Sequence, residues 1–512
     1  MYKVCLTISL VVLLLQQSTA QETYDSSWAG LQNPVPSWFP AAKFGIYVHW
    51  GPYTVPAYNS EWYSRSMYVP GTESYRHQLA TYGSQKTFGY KDFVNQFRGK
   101  AFNAKDWVAL FSRAGARFIG CTAEHADGYS MWNSKVNPWN AKRLGPGDVI
   151  GELSKSAHKK DLPFMATFHH QWQWGWYPTF DSTVDAGNPQ YASLYGPVVS
   201  VAAWEHKPLA DRPDKAFCEQ WTAKVLEVTG KYKPDLLYFD SRLNHIPEQY
   251  RKQIVKDYMR RGPKHQLILY KSAELPEHVG LRTYEKTRPD SSMPETWLTE
   301  EPISTYSWSY TPDMQLRSAQ NILQVLVDAV SKNGVYLLNV SPDADGAIPE
   351  AQQQVLEAIG NWLHLNGEAI YDTRPWVVFG EGPGIEKNRP LLKDRRKYFE
   401  VGYTADDIRY TSKGNFVYAT FLSTPEAGQS KSLTAFNQSL FPQTMRVADV
   451  TVLATGKKVD WKWLAGLLTI NMPPNDSDNL PYTLKIRMDQ LIKEPSIKNN
   501  QIGSDRTTNR NR

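Results

Sequence analysis

Cysteine is nearly missing from this chain: Cys5, Cys121 and Cys218 are the only three among 512 residues. So few exclude a disulfide-built scaffold and any paired-thiolate metal motif. Long apolar runs are equally scarce. The one at positions 5–15 falls short of the roughly 18 residues that cross a bilayer. Preceded by Lys3 and followed by Ser18-Thr-Ala20, it reads as a secretory signal peptide over 1–20, cut after Ala20, which predicts a secreted or lumenal protein in an extracellular or lysosome-like compartment. Cys5 leaves with that segment. Cys121, in a strand-like run, and Cys218, in a helix-like one, are then expected as buried free thiols. A dominant charge is also lacking, since 57 basic residues face 51 acidic ones for a net +6. Several of the basic residues sit in a tail, 491–512, without apolar periodicity. That tail reads as disordered, and neither nucleic acid nor a membrane is expected as a partner.

Aromatic residues are what the chain has in excess, with 18 Trp and 29 Tyr, most of them within its first 310 positions. Most should be core, but aromatic faces at strand ends also suit a sugar-binding cleft, because they stack on the C–H-rich faces of sugars. Strand-like and helix-like stretches alternate from 44 to 340. The strand candidates are 44–49, 117–125, 164–170, 236–240, 267–271, 281–285, 303–308 and 335–340. Eight is the number a closed (β/α)₈ barrel requires. Between the last two, Ile322, Val325, Leu326, Ala329 and Val330 form a helical stripe, with Gly334 where a C-terminal cap would stand. After Trp376 the pattern changes. From Lys397 onward, short alternating runs separated by Gly, Asn and Asp turns predict a β-sandwich. The expected organisation is an α/β barrel over 21–376, a C-terminal β-sandwich over 377–490 and the tail.

Chemistry is expected at the C-terminal tips of the barrel strands. Asp240 ends the apolar run Pro234-Asp-Leu-Leu-Tyr-Phe-Asp240, and Glu285 ends Leu281-Arg-Thr-Tyr-Glu285. Two carboxylates at strand ends are the minimal equipment of a glycoside hydrolase.

Further motifs sharpen the expectation. Ala42-Lys-Phe-Gly-Ile-Tyr-Val-His-Trp-Gly51, Glu61-Trp62-Tyr63, Glu124-His-Ala-Asp-Gly-Tyr129, Leu236-Leu-Tyr-Phe-Asp240, Val327-Asp-Ala-Val-Ser-Lys-Asn-Gly334 and Leu337-Leu-Asn-Val-Ser-Pro342 occur in that order. Together they resemble the retaining α-L-fucosidases of glycoside hydrolase family 29, over about Trp38 to Trp376. The resemblance implies a barrel followed by a β-sandwich and an exo-acting enzyme that removes terminal α-L-fucose from an oligosaccharide or polysaccharide through a covalent glycosyl-enzyme. By motif it implies Asp240 as nucleophile. Glu285 is the acid/base candidate at a fitting spacing, with Glu295, Glu300 and Glu301 close by.

Sugar recognition then falls to His49, Glu61, Trp62, His125, Trp132 and His170: imidazoles and a carboxylate for the hydroxyls, aromatic walls for the C5 methyl. No role is put on His169. Adjacent strand residues face opposite sides, so His169 and His170 are poorly placed to chelate one ion, and neither metal nor cofactor is expected. One departure from the family pattern matters, because the second of its usual two consecutive His residues is Ala126 here. Either a neighbouring loop, such as that of His170, replaces the imidazole, or the substrate differs. A secreted fucose-binding protein without turnover, and a retaining exo-glycosidase for a galacto-configured sugar, therefore stay open as alternatives. A homo-oligomer is equally compatible with the sequence. The sequons at Asn437 and Asn475 are expected to carry glycans, whereas Asn339, ending a barrel strand, should stay bare.

Overall fold

The computed structural model describes residues 28–205, 212–272, 274–437, 446–474 and 479–489. The signal segment, the basic tail and the sequon at Asn475 lie outside them. Eight parallel strands close into a barrel: β1 (Phe44–Val48), β2 (Ile119–Glu124), β3 (Phe164–Phe168), β4 (Leu236–Phe239), β5 (Leu267–Lys271), β6 (Leu281–Glu285), β7 (Trp297–Pro302) and β8 (Gly334–Val340). Closure is made by β8 pairing with β1, Phe44 opposite Tyr336 through Val48 opposite Val340. Every residue of β1 to β4, β7 and β8 is buried, as strands covered on both faces must be. Among the described residues no helix is long and apolar enough to cross a membrane. Cys121 and Cys218 are buried free thiols.

Seven strand candidates overlap observed strands, but β7 does not lie at 303–308. It is Trp297-Leu-Thr-Glu-Glu-Pro302, whose two carboxylates disguise it. Both are neutralised inside the protein, and on opposite faces, as strand alternation requires. Glu300 points into the barrel, accepting hydrogen bonds from the Tyr47 hydroxyl at 2.7 Å and from the Tyr238 hydroxyl. Glu301 points outward to Arg317, at 2.8 Å, and Arg288. The 303–308 segment is instead the loop that brings Trp308 back over the barrel mouth. Gly334 does not cap the preceding helix either; the left-handed residue is Asn333, with φ 72°. Gly334 opens β8, where a Cβ would collide with the Trp297 ring and the Ala329 carbonyl.

The strands of the C-terminal domain are β9 (Arg374–Glu381), β10 (Ile408–Lys413), β11 (Phe416–Phe421), β12 (Ser430–Asn437), β13 (Val447–Val452), β14 (Trp461–Leu464), β15 (Leu467–Asn471) and β16 (Tyr482–Met488). They form a five-stranded antiparallel sheet, order β13-β16-β11-β10-β9, packed on a three-stranded one, order β12-β15-β14. Residues from both sheets, among them Trp376, Tyr410, Phe436 and Ile470, share one core. β9 starts before the 376/377 boundary expected from the change of pattern.

The two domains are joined through the helix Ala319–Ser331. Its Gln324 amide donates to the Leu422 carbonyl at 2.7 Å, and its buried Asp328 meets Arg409 of β10 at 2.7 Å, Lys332 at 2.9 Å and Arg288 at 3.7 Å. Burial opposes the charge on Asp328, but these three cations outweigh it and hold the carboxyl far below its ordinary range. Its contribution to stability is therefore complete above the ordinary Asp range and is lost only as pH falls towards the lowered value. Asp328→Asn leaves three cations short of a counter-charge and should cost about 3–5 kcal/mol. Urea denaturation at neutral pH checks this; a loss below about 1 kcal/mol would make the cluster an ordinary surface-like pairing.

Candidate active site

Four adjacent strands deliver one charged cluster. Asp240 directly follows β4, its N–H held by the Phe168 carbonyl at 3.0 Å. Lys271 ends β5, Glu285 ends β6, and Glu300 lies within β7. The Lys271 ammonium is 2.5 Å from Asp240 Oδ1, 2.8 Å from Glu285 Oε2 and 3.2 Å from Glu300 Oε1. Two oxygens held by one nitrogen at 2.5 and 2.8 Å can be no more than about 5.3 Å apart, which is compatible with the close carboxyl pair of a retaining glycosidase.

Burial resists ionisation of all three carboxyls, and the outcomes differ. Lys271 overcomes it at Asp240, and Lys271 with Arg395 overcomes it at Glu285, so both carboxyls titrate below their ordinary values. At Glu300 burial wins despite Lys271, and its pKa is raised. Accessibility separates them further. The Asp240 and Glu285 side chains are 14% and 13% exposed, while Glu300 is 1% exposed beneath them with the tyrosine hydroxyls on its oxygens. Glu301 faces the outside of the barrel, and Glu295 precedes β7, at the opposite end. A depression of 510 Å³ at that far end, between Pro40, Met293 and Trp376, is lined by no carboxylate or imidazole.

Beside the carboxylates lie three buried imidazoles. His49, His125 and His169 follow β1, β2 and β3, with ring centres 5.8 Å apart for His49 and His125, 5.1 Å for His49 and His169, and 4.9 Å for His125 and His169. His49 Nδ1 is 2.8 Å from Asn339 Oδ1, and the Asn339 amide donates to the Trp308 carbonyl at 2.6 Å. Burial pushes His49 down to about 4 and the other two well below the usual imidazole value. All three are therefore neutral near pH 7, each offering one donor and one acceptor. Trp308 closes the side above His49, ring centres 5.3 Å apart, and its backbone N–H donates to the buried Glu61 carboxyl at 3.2 Å. Trp176 extends the wall from His125, at 6.1 Å, to the exposed Trp62, at 4.7 Å.

Asp240, Glu285, His49, Glu61, Trp62 and His125 are thus brought to one end of the barrel. His170 and Trp132 are not with them. His170 turns outward, stacked on Trp221 with ring centres 5.5 Å apart, beside the buried Glu124–Lys224 pair. Trp132 is fully buried and donates its indole N–H at 2.8 Å to Glu227 of the helix Lys215–Tyr232. The imidazole that enters the site is His169. Alternation signals this: Phe164, Ala166, Phe168 and His170 belong to the outer apolar face of β3, while Met165, Thr167 and His169 share the inner one. Donor nitrogens of His49, His125 and His169 lie within 4.8 Å of one another, a set that could hold a metal ion although none was expected from the sequence. Neutral and gathered in this way, the three also suit the hydroxyls of one sugar ring.

A family model described as Alpha-L-fucosidase matches residues 11–368, and one described as Alpha-L-fucosidase C-terminal domain matches 403–487. The chain is 30% identical to tissue alpha-L-fucosidase of Rattus norvegicus over 506 residues, 93% of this chain and 96% of that one. It is 29% identical to the Homo sapiens tissue alpha-L-fucosidase over 489 residues, 89% and 90% of the two chains. Among solved structures, an alpha-fucosidase of Thermotoga maritima in complex with fucose superposes with a TM-score of 0.69 at 24% identity, over 91% of this chain and 100% of that one. At that identity the superposition speaks for the fold.

The two neighbouring histidines should separate experimentally. His169→Asn removes a hydrogen-bonding group from the pocket and should lower kcat/KM for an aryl α-L-fucoside by roughly 10- to 100-fold with little change in melting temperature. His170→Asn should do the reverse, costing about 1–3 kcal/mol of stability and leaving kcat/KM within about threefold. Equal losses of activity in both would place His170 in the site after all.

Proposed function

The chain belongs to the α-L-fucosidases of glycoside hydrolase family 29, and on that premise we propose that it is an exo-acting, retaining enzyme that releases terminal α-L-fucose from fucosylated oligosaccharides or polysaccharides by double displacement. The observation that carries the proposal is the shared Lys271 ammonium, which keeps one oxygen of Asp240 and one of Glu285 no more than about 5.3 Å apart. So close a pair favours direct attack on the anomeric carbon over the wider arrangement that places a water between carboxylate and sugar. Exo action is supported by Trp308, which closes one side of the histidine cluster at the barrel mouth.

In the first step Asp240, kept ionised by Lys271, attacks the anomeric carbon to form a glycosyl ester while Glu285 protonates the departing oxygen. Esterification removes the negative charge of Asp240. That charge favours the protonated form of Glu285, so its loss lowers the affinity of Glu285 for a proton. The same carboxyl is thereby prepared to take a proton from water in the second step. The neutral imidazoles and Glu61 hold the hydroxyls throughout, adding no net charge from the rings.

Asp240→Ala should reduce turnover by about 1,000-fold or more while leaving the fold and some fucose affinity intact, and azide should restore part of the rate as a fucosyl azide. Retention of more than a small percentage of activity without azide would remove Asp240 from the role. The pH profile gives a second test. Activity needs Asp240 ionised and Glu285 protonated, and both titrate below the ordinary carboxyl range, so kcat/KM should pass through an acidic optimum. Protonation of Asp240 makes the acid limb and deprotonation of Glu285 the alkaline one. In Glu285→Ala the alkaline limb should vanish, with aryl fucosides retaining far more activity than fucosyl-oligosaccharides because a phenolate leaves without protonation. A variant that keeps the limb and slows both substrates equally would move the acid elsewhere.

A further inference from the structure

Next to Glu285, an open cleft of about 750 Å³ leads away from the barrel mouth between the end of β6 and the segment that joins β9 to β10 in the C-terminal domain. Its charged lining is Glu285, Lys286, Lys393, Asp394, Arg395 and Arg396, four cations against two carboxylates. Some of that excess is answered locally, with Lys393 3.2 Å from Asp290 and Arg396 3.4 Å from Asp394. Two cations are left with an unusual assignment. Lys286, over the rings of Trp308 and Tyr398 at 4.9 and 5.1 Å, has as its nearest acceptor the Tyr306 carbonyl at 3.4 Å. Arg395 is 60% exposed, yet its guanidinium closes on Glu285, the carboxyl that must carry a proton to act as general acid.

A guanidinium at that place works against acid catalysis unless something takes it away. A neutral sugar offers Arg395 only dipoles, which compete poorly with a carboxylate. An anionic substituent offers a charge-assisted, two-pronged contact of the same kind it has with Glu285. Resting on the fucosidase reading above, we infer that the leaving-group side of this site is built for an aglycone bearing a fixed negative charge, a sulfate or a carboxylate, and that Arg395 exchanges Glu285 for that anion when substrate binds. Lys286 and Arg396 border the same cleft and add to the field the anion enters. The exchange makes the general acid competent only when an acidic aglycone is in place, so the charge acts on the chemical step as well as on binding. Other charged groups facing Glu285 stay put: Lys271, Asp240 and Glu300 from the adjoining strands, and Glu61 from the loop after β1.

The test compares 3-sulfophenyl α-L-fucoside with 3-nitrophenyl α-L-fucoside, two aryl substrates of similar leaving-group acidity that differ in charge. At low ionic strength kcat/KM should favour the sulfonated substrate by roughly tenfold. The preference should collapse towards unity in about 0.5 M NaCl and in Arg395→Gln, and shrink in Arg396→Gln, with melting temperatures confirming that the variants fold. The alkaline limb of kcat, which reports the bound complex, should lie at higher pH for the sulfonated substrate than for the neutral one in the wild type, and at the same pH for both in Arg395→Gln. A wild-type ratio at or below one, or a preference untouched by Arg395→Gln, overturns the inference while leaving a neutral-substrate fucosidase standing. Failure to hydrolyse either substrate removes the fucosidase reading and this inference with it.

Discussion

The barrel mouth depends on one largely enclosed ammonium. Asp240, Glu285 and Glu300 converge from neighbouring strands into a space where mutual repulsion and burial would each favour protonation. Lys271 touches all three, and their combined charge raises its own pKa well above the ordinary value despite burial. Without that cation burial would push Asp240, the proposed nucleophile, towards its protonated form, and the proposed catalytic pair would have no common anchor. The ammonium does not satisfy the three equally. Two carboxyls remain partly exposed and ionised, while the third, under the tyrosines, resists ionisation and serves as the floor. Depth and the tyrosine hydroxyls thereby separate the proposed catalytic pair from the carboxyl beneath it.

Strand alternation decides much of the rest. Glu300 and Glu301 are consecutive, yet one props up the reaction centre and the other anchors Arg317 and Arg288 on the outer side. His169 and His170 repeat the pattern on β3. One stacks with His125 and the other with Trp221. The carboxylates are tolerated at such density because the inward ones share Lys271 and the outward Glu301 meets Arg317 and Arg288.

These relations mark the limit of what the sequence exposes. The barrel and sandwich were legible because apolar runs and turn residues report burial directly, and Asp240 was legible because it ends an uninterrupted apolar strand within a family motif. β7 was obscured because hydropathy counts Glu300 and Glu301 as polar, although cations and hydroxyls bury them. His169 was passed over for its neighbour, though the face occupied by Phe164, Ala166 and Phe168 already assigns His170 to the outside. Trp132 had the right residue type near the right motif, but its partner, Glu227, lies in a helix nearly a hundred positions away. Lys271 and Arg395 gave no local signal at all. Their meaning lies in which carboxylates they meet, and those contacts exist only once the chain has closed.

Asn339 imposes a direction on the sugar site. Its amide nitrogen is committed to the Trp308 carbonyl, which leaves only its oxygen facing His49. A neutral imidazole opposite that oxygen must carry its hydrogen on Nδ1, so Nε2 presents a lone pair. His49 is thereby fixed in one tautomer and can only receive a hydrogen from the sugar. A ring position bearing fluorine or a methoxy group in place of hydroxyl keeps an acceptor but loses the hydrogen, and would face His49 acceptor to acceptor. One side-chain amide, placed by β8, thus gives the pocket a polarity that shape alone would not supply.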